Sequence, residues 1–82
     1  MILVDIYVPS VDIEYNFQLD ETICISTIIE EIAEMIAHKE QSTLSGDPSE
    51  LILCYPETKE ILPATATLWQ CQIRTGSRLI LV

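Results

Sequence analysis

The chain has 82 residues, of which 49% are apolar, 13 are acidic and 4 are Lys or Arg, so its formal net charge is −9. This length predicts one domain spanning residues 1–82, and the apolar fraction is too high for a disordered chain. The acidic balance argues against nucleic-acid binding, which needs Lys and Arg, and against adhesion to anionic lipid.

Two segments with alternating apolar residues open the chain. Residues 2–8 place Ile and Val at every even position, and residues 11–19 alternate apolar and polar side chains without interruption. This period of two predicts two half-buried strands. Pro9 and Ser10 lie between them, so the strands are expected to form an antiparallel hairpin.

The apolar period then lengthens to that of a helix. From Ile25 to Lys39, isoleucines recur every three or four residues, with glutamates mostly on the other side. This pattern predicts an amphipathic helix over residues 25–39, with Ser26 or Thr27 as its N-terminal cap. β-Branched residues are weak helix formers, so packing against a sheet must stabilise this helix.

In the second half of the chain the apolar patterns are shorter and are separated by irregular segments. Residues 40–49 are polar and predict a loop, and residues 51–55 predict a strand with a very short return strand at 61–62. Residues 63–72 are irregular, and residues 78–82 predict a last strand. The order is therefore two strands, one helix and three further strands.

These elements predict an α+β fold of the β-grasp type. One helix must cover one face of a single mixed sheet of four to five strands, because the strands cannot bury their apolar faces alone. The first and last strands are both strongly apolar, so we expect them to pair in parallel at the centre of the sheet.

The face of the sheet turned away from the helix is the candidate site. Alternation leaves several apolar side chains outward, with Asp5 on the same face, and a contiguous exposed apolar area usually marks a binding surface. Trp69 is a second candidate anchor, although it can equally cover the edge of the core. The predicted partner-binding residues are Leu3, Tyr7, Ile52, Trp69, Arg78, Ile80 and Val82.

The residues offer no catalytic, cofactor or metal site. Cys24, Cys54 and Cys71 are odd in number and widely spaced, and His38 is the one histidine, so we expect buried structural thiols in a reduced cytoplasmic protein. The acidic residues predict solvated faces that attract a basic partner surface. The apolar runs are too short for a membrane span, and the N-terminus lacks the basic region of a signal peptide. We therefore predict that the chain is not an enzyme.

The closing residues resemble those of ubiquitin-like domains. The likeness is carried by Thr67-Leu68, Ile73 and the strand Leu79-Ile80-Leu81-Val82, with Gly76 in the turn before it. The chain most resembles the YukD/EsaB family of small bacterial ubiquitin-like proteins of type VII secretion systems, apart from Trp69, where a small or polar residue is expected. The resemblance covers the chain in element order and is specific over residues 67–82.

The resemblance implies a non-catalytic accessory or regulator of a secretion machine. Its expected partners are protein components of that machine, at the cytoplasmic face of the membrane. The sequence ends within the strand pattern at Leu81-Val82, without the Gly-Gly tail of conjugated ubiquitin-like proteins, so we expect no conjugation.

Other functions remain open at this stage. Some bacterial monooxygenases contain a small ubiquitin-like subunit, so a non-catalytic subunit of a multicomponent enzyme is the alternative. The apolar face is also compatible with a homodimer. An acidic DNA mimic is a weaker hypothesis, because such a mimic needs a mostly polar surface.

Overall fold

The computed structural model describes residues 1–40 and 50–82. The predicted loop at residues 40–49 therefore lies outside the described residues except for Glu40. The elements in chain order are β1 Ile2–Val8, β2 Ile13–Leu19, α1 Ile25–Glu40, β3 Leu53–Tyr55, β4 Glu60–Ile61 and β5 Arg78–Leu81.

The five strands form one mixed sheet with the order β2-β1-β5-β3-β4. β1 pairs with β2 in an antiparallel hairpin and with β5 in parallel, while β3 is antiparallel to both β5 and β4. The first and last strands thus lie side by side inside the sheet. This arrangement confirms the predicted α+β, β-grasp fold.

The core lies between α1 and one face of the sheet. In β1, Ile2, Val4, Ile6 and Val8 are all buried, as the period of two predicts. The helix buries its isoleucines at positions 25, 28, 29, 32 and 36 against them. β-Branched residues thus occupy a helix because their burial outweighs their weak intrinsic propensity.

The first hairpin differs from its predicted boundary. The alternating pattern begins at Val11, but β2 begins at Ile13 because Val11 and Asp12 belong to the turn. The Val11 N–H donates to the Val8 carbonyl, and Asp12 adopts a positive φ of 54°. Asp tolerates the left-handed region better than most residues, so the turn takes two residues from the predicted strand.

The later strands are shorter than their apolar runs. β3 begins at Leu53, although Ile52 and Val82 just beyond the strands exchange two backbone hydrogen bonds of 2.8 and 2.9 Å. The return strand predicted at residues 61–62 lies at Glu60–Ile61 instead. The Leu62 side chain is buried, and its N–H still donates to the Leu53 carbonyl (2.8 Å).

The N-terminus of α1 is capped by a distant segment. The prediction of Ser26 or Thr27 as the cap is wrong, because the helix begins at Ile25 and both residues lie within its first turn. The Ile25 and Ser26 N–H groups donate to the carbonyls of Ala66 (2.8 Å) and Ala64 (3.0 Å). The irregular segment after β4 thus satisfies donors that the helix cannot satisfy itself.

Candidate functional site

The exposed face of the sheet carries a strip of apolar side chains across four strands. Tyr7 of β1 is level with Ile80 of β5, Ile80 with Cys54 of β3, and Cys54 with Ile61 of β4. Ile52 and Val82 form the next pair along β3 and β5. We call this set the outer strip: Tyr7, Ile52, Cys54, Ile61, Ile80 and Val82.

The outer strip is accessible to a partner. Ile61 is 62% exposed and Val82 47% exposed, whereas Tyr7, Cys54 and Ile80 are half-buried by their strand neighbours. With strands about 4.8 Å apart, the row from Tyr7 to Ile61 extends over roughly 14 Å. This width suits the apolar centre of a protein interface, around which polar residues form the rim.

A polar row borders the outer strip on one side. Asn16, Asp5 and Arg78 are level across β2, β1 and β5, and the Asn16 amide donates to the Asp5 carboxylate (2.8 Å). Leu3 lies beyond this row, two residues further along β1. Arg78 therefore belongs to the rim of the outer strip, and Leu3 is separated from it.

Trp69 lies near the N-terminal end of β1, away from the outer strip. Its backbone N–H donates to the carbonyl of Glu21 (3.0 Å). The carboxylate of Glu21 also binds the N-terminal ammonium of Met1 (3.1 Å). The Trp69 side chain is 58% exposed, and the Arg74 guanidinium stacks 3.9 Å from the centre of its ring.

The structure thus brings together four of the seven predicted residues. These four are Tyr7, Ile52, Ile80 and Val82. The prediction omitted Ile61 and Cys54, although both share this face. The short hairpin formed by β3 and β4 could have indicated the orientation of Ile61. Once Leu53 faces the core, cross-strand pairing of Cys54 with Ile61 turns both side chains outward.

Hydrogen bonding fixes the tyrosine at the edge of the outer strip. The Tyr7 hydroxyl donates to the Asp12 carboxylate in the hairpin turn (2.5 Å). This hydrogen bond, with a smaller effect of burial, raises the pKa of Tyr7 above its usual value. The positive-φ turn at Asp12 therefore orients a ring on the candidate interface.

The expectation that the three cysteines are buried is wrong, because Cys24 is exposed and Cys54 and Cys71 are half-buried. Cys24 is exposed at the start of α1, with its Sγ 3.9 Å from the Thr65 carbonyl oxygen. Burial raises the pKa of the half-buried Cys71 thiol, with a smaller contribution from Glu60. Within residues 1–40 and 50–82, His, Cys, Asp and Glu form no group of three that could hold a metal ion.

Many solved structures are similar in fold to this chain, among them two ubiquitin-like domains. One is the N-terminal ubiquitin-like domain in the 4931431F19Rik protein, with a TM-score of 0.76 and 22% identity over 99% of this chain and 72% of that one. The other is the EccD5 ubiquitin-like domain from Mycobacterium xenopi, with a TM-score of 0.78 and 20% identity over 99% of this chain and 91% of that one. The fold is therefore ubiquitin-like.

Sequence comparison adds no family assignment. No protein-family model matches the chain, and no curated protein matches it. In the part of the chain that the structure describes, no helix has the length and apolar character needed to cross a membrane.

Proposed function

We propose that residues 1–82 form a single non-catalytic interaction domain that binds a partner protein through the outer strip. The observation that carries this proposal is the continuous row of apolar side chains from Tyr7 to Ile61, exposed on a sheet whose other face is sealed by α1. Burying such a row in an interface removes apolar surface from water without disturbing the core.

Within this proposal the predicted contact residues have different roles. Tyr7, Ile52, Ile80 and Val82 supply the apolar centre, and Arg78 supplies a charge at the rim. Leu3 and Trp69 contact only a partner that extends past the polar row of Asn16, Asp5 and Arg78. Binding, rather than conjugation or catalysis, is then the activity of the domain.

We further propose that the domain is an accessory or regulatory component of a type VII secretion system, of the YukD/EsaB type. The likeness over residues 67–82 supports this role, and so does the structural similarity to the EccD5 domain. The domain would then act in the cytoplasm and be recruited to the inner face of the membrane by protein partners.

Co-purification from the source cells tests both levels of the proposal. Tagged wild-type chain is compared with Ile61→Asp, which places a charge on the most exposed residue of the outer strip, and with Thr65→Asp, which adds the same charge at an exposed residue beside the start of α1. We expect the wild type and Thr65→Asp to retain secretion-machine components, and Ile61→Asp to lose them at unchanged circular dichroism.

The identity of the partner and the mass of the complex decide between the functions. Equal retention by the wild type and both variants would reject the outer strip as the binding surface. Retention of hydroxylase subunits would favour the monooxygenase alternative. A wild-type dimer by light scattering that Ile61→Asp converts to a monomer would assign the outer strip to self-association.

A further inference from the structure

The other candidate surface is the outer edge of β2, which pairs with no further strand within residues 1–40 and 50–82. β2 is the outermost strand at its end of the sheet, and it is long, from Ile13 to Leu19. A strand edge exposes unpaired backbone donors and acceptors, which can pair with another chain. The pairing of its neighbour β1 shows which groups these are.

The backbone of β1 alternates between its two neighbours. The Asp5 N–H donates to the Ser77 carbonyl (3.0 Å), and the Leu3 carbonyl accepts from the Gly76 N–H (2.9 Å), so the odd positions of β1 bond toward β5. The even positions therefore bond toward β2. In the antiparallel register, Glu14, Asn16 and Gln18 of β2 lie opposite the odd positions. Their N–H and C=O groups consequently point away from the sheet.

A groove runs beside this edge, between β2 and α1. It has a volume of about 510 Å³ and is lined by Gln18, Leu19, Glu31, Glu34, Met35 and His38. Met35 is 42% exposed although it lies on the helix beside buried residues, so part of the groove wall is apolar and uncovered. The volume lies within the range of roughly 300–1,000 Å³ that is usual for ligand pockets.

The groove also has a definite charge. Glu31 and Glu34 are exposed on the helical wall, and the described residues that line the groove include no Lys or Arg. Lys39 is nearby, but its ammonium lies over the Tyr15 ring, 5.4 Å from the ring centre. A second copy of this chain is a poor occupant, because its own β2 edge carries Glu14 and each copy has a net charge of −9.

We propose that the β2 edge and this groove bind an extended segment of a partner protein that carries both apolar and basic side chains. The segment adds a sixth strand by pairing with the backbone of Glu14, Asn16 and Gln18. Its groove-facing side chains alternate between apolar residues that contact Leu19 and Met35 and Lys or Arg that reach Glu31 and Glu34. This surface is separate from the outer strip and does not depend on the proposed function.

The acetylated peptide TVTKTVTK is a suitable probe, because one face of its extended form presents Val and Lys alternately and the other only Thr. Titrated at low salt into the ¹⁵N-labelled protein, it should saturably shift the amide signals of Glu14, Asn16 and Gln18 and of the helix around Met35. The same peptide N-methylated at alternate residues cannot donate its full set of hydrogen bonds, and it should produce no shifts at these positions.

Two double variants distinguish the effect of the groove carboxylates on peptide affinity from the effect of the net charge of the protein. Glu31→Gln/Glu34→Gln should weaken binding of the probe about tenfold, because two charge pairs are lost. Glu57→Gln/Glu60→Gln at the opposite end of the sheet makes the same change in net charge and should leave the affinity within about twofold of the wild type.

Several results would overturn the proposal. They are an absence of shifts, shifts confined to the outer strip, equal weakening by both double variants, and unchanged binding of the N-methylated peptide. Shifts at the β2 edge that grow with protein concentration, without peptide, would assign the edge to a second copy and reject the proposed occupant.

Discussion

The two faces of the sheet differ in how far their side chains are buried, although side chains of both faces alternate along the same strands. In β5, Leu79 and Leu81 are nearly inaccessible, whereas Ile80 between them and Val82 after them are open to solvent to a greater degree. Both faces of β5 and β3 carry apolar side chains, so hydropathy alone does not separate core from surface. The position of α1 does separate them, because this helix can cover only one face of the sheet.

The largest expected difference in stability is between substitutions of two neighbouring residues of β5. Leu79→Ala should lower the free energy of unfolding by about 2–5 kcal/mol, because it leaves a cavity under α1. Ile80→Thr keeps a β-branched residue on the half-exposed face and should cost less than about 1 kcal/mol. Urea denaturation followed by circular dichroism measures both, and similar losses for the two variants would contradict the division between the faces.

The division between the faces could be predicted because it follows from local alternation. Once the even positions of β1 were assigned to the core, Tyr7 had to face outward, and the same logic placed Ile80 and Val82. Burial confirms these orientations. The helix was likewise predictable, since its isoleucine spacing allows one buried side.

Features that depend on contacts between distant segments were not predictable. The separation of Leu3 from the outer strip depends on the parallel register that puts Asp5 level with Arg78, and nothing local in either strand sets that register. The cap of α1 comes from carbonyls about forty residues further along the chain. The groove beside β2 was not predictable either, because a sequence pattern does not give the distance between a strand edge and a helix.

A smaller effect is expected at the rim of the core, where Tyr15 is buried but keeps one polar contact. Its hydroxyl donates to Glu40 (2.7 Å), and its ring stacks on Phe17 with centres 5.7 Å apart. Tyr15→Phe retains the ring and removes the hydrogen bond, so we expect a loss of about 0.5–1.5 kcal/mol at neutral pH. Tyr55→Phe, which removes a hydroxyl contact to Glu57 at the surface, should cost less.

Tyr15 should also contribute to alkaline unfolding. Burial, with a further effect from the Glu40 hydrogen bond, raises the pKa of Tyr15 from 10.0 to about 12. The unfolded chain therefore loses this proton first, so the stabilisation is complete below pH 10 and declines as pH rises toward 12. Tyr15→Phe should flatten this part of the stability curve, measured by denaturation across alkaline pH. An unchanged slope would show that the Tyr15 hydroxyl is not held away from solvent.

The smallest effect should come from the exposed pair at the end of β1. Arg74 stacks on Trp69 and donates to the carbonyls of Ile73 (3.0 Å) and Trp69 (3.4 Å), so Arg74→Ala should cost about 0.5–1 kcal/mol. Arg78→Ala is the matched control, because Arg78 is exposed on the sheet beside Asp5 and forms no ion pair within residues 1–40 and 50–82. It should change stability by less than about 0.5 kcal/mol. Fluorescence of Trp69, the one tryptophan in the sequence, reports both unfolding curves. If Arg78→Ala costs as much stability as Arg74→Ala, charges on the exposed face of the sheet contribute to stability. The two faces would then differ less in their contribution to stability than the burial of their side chains indicates.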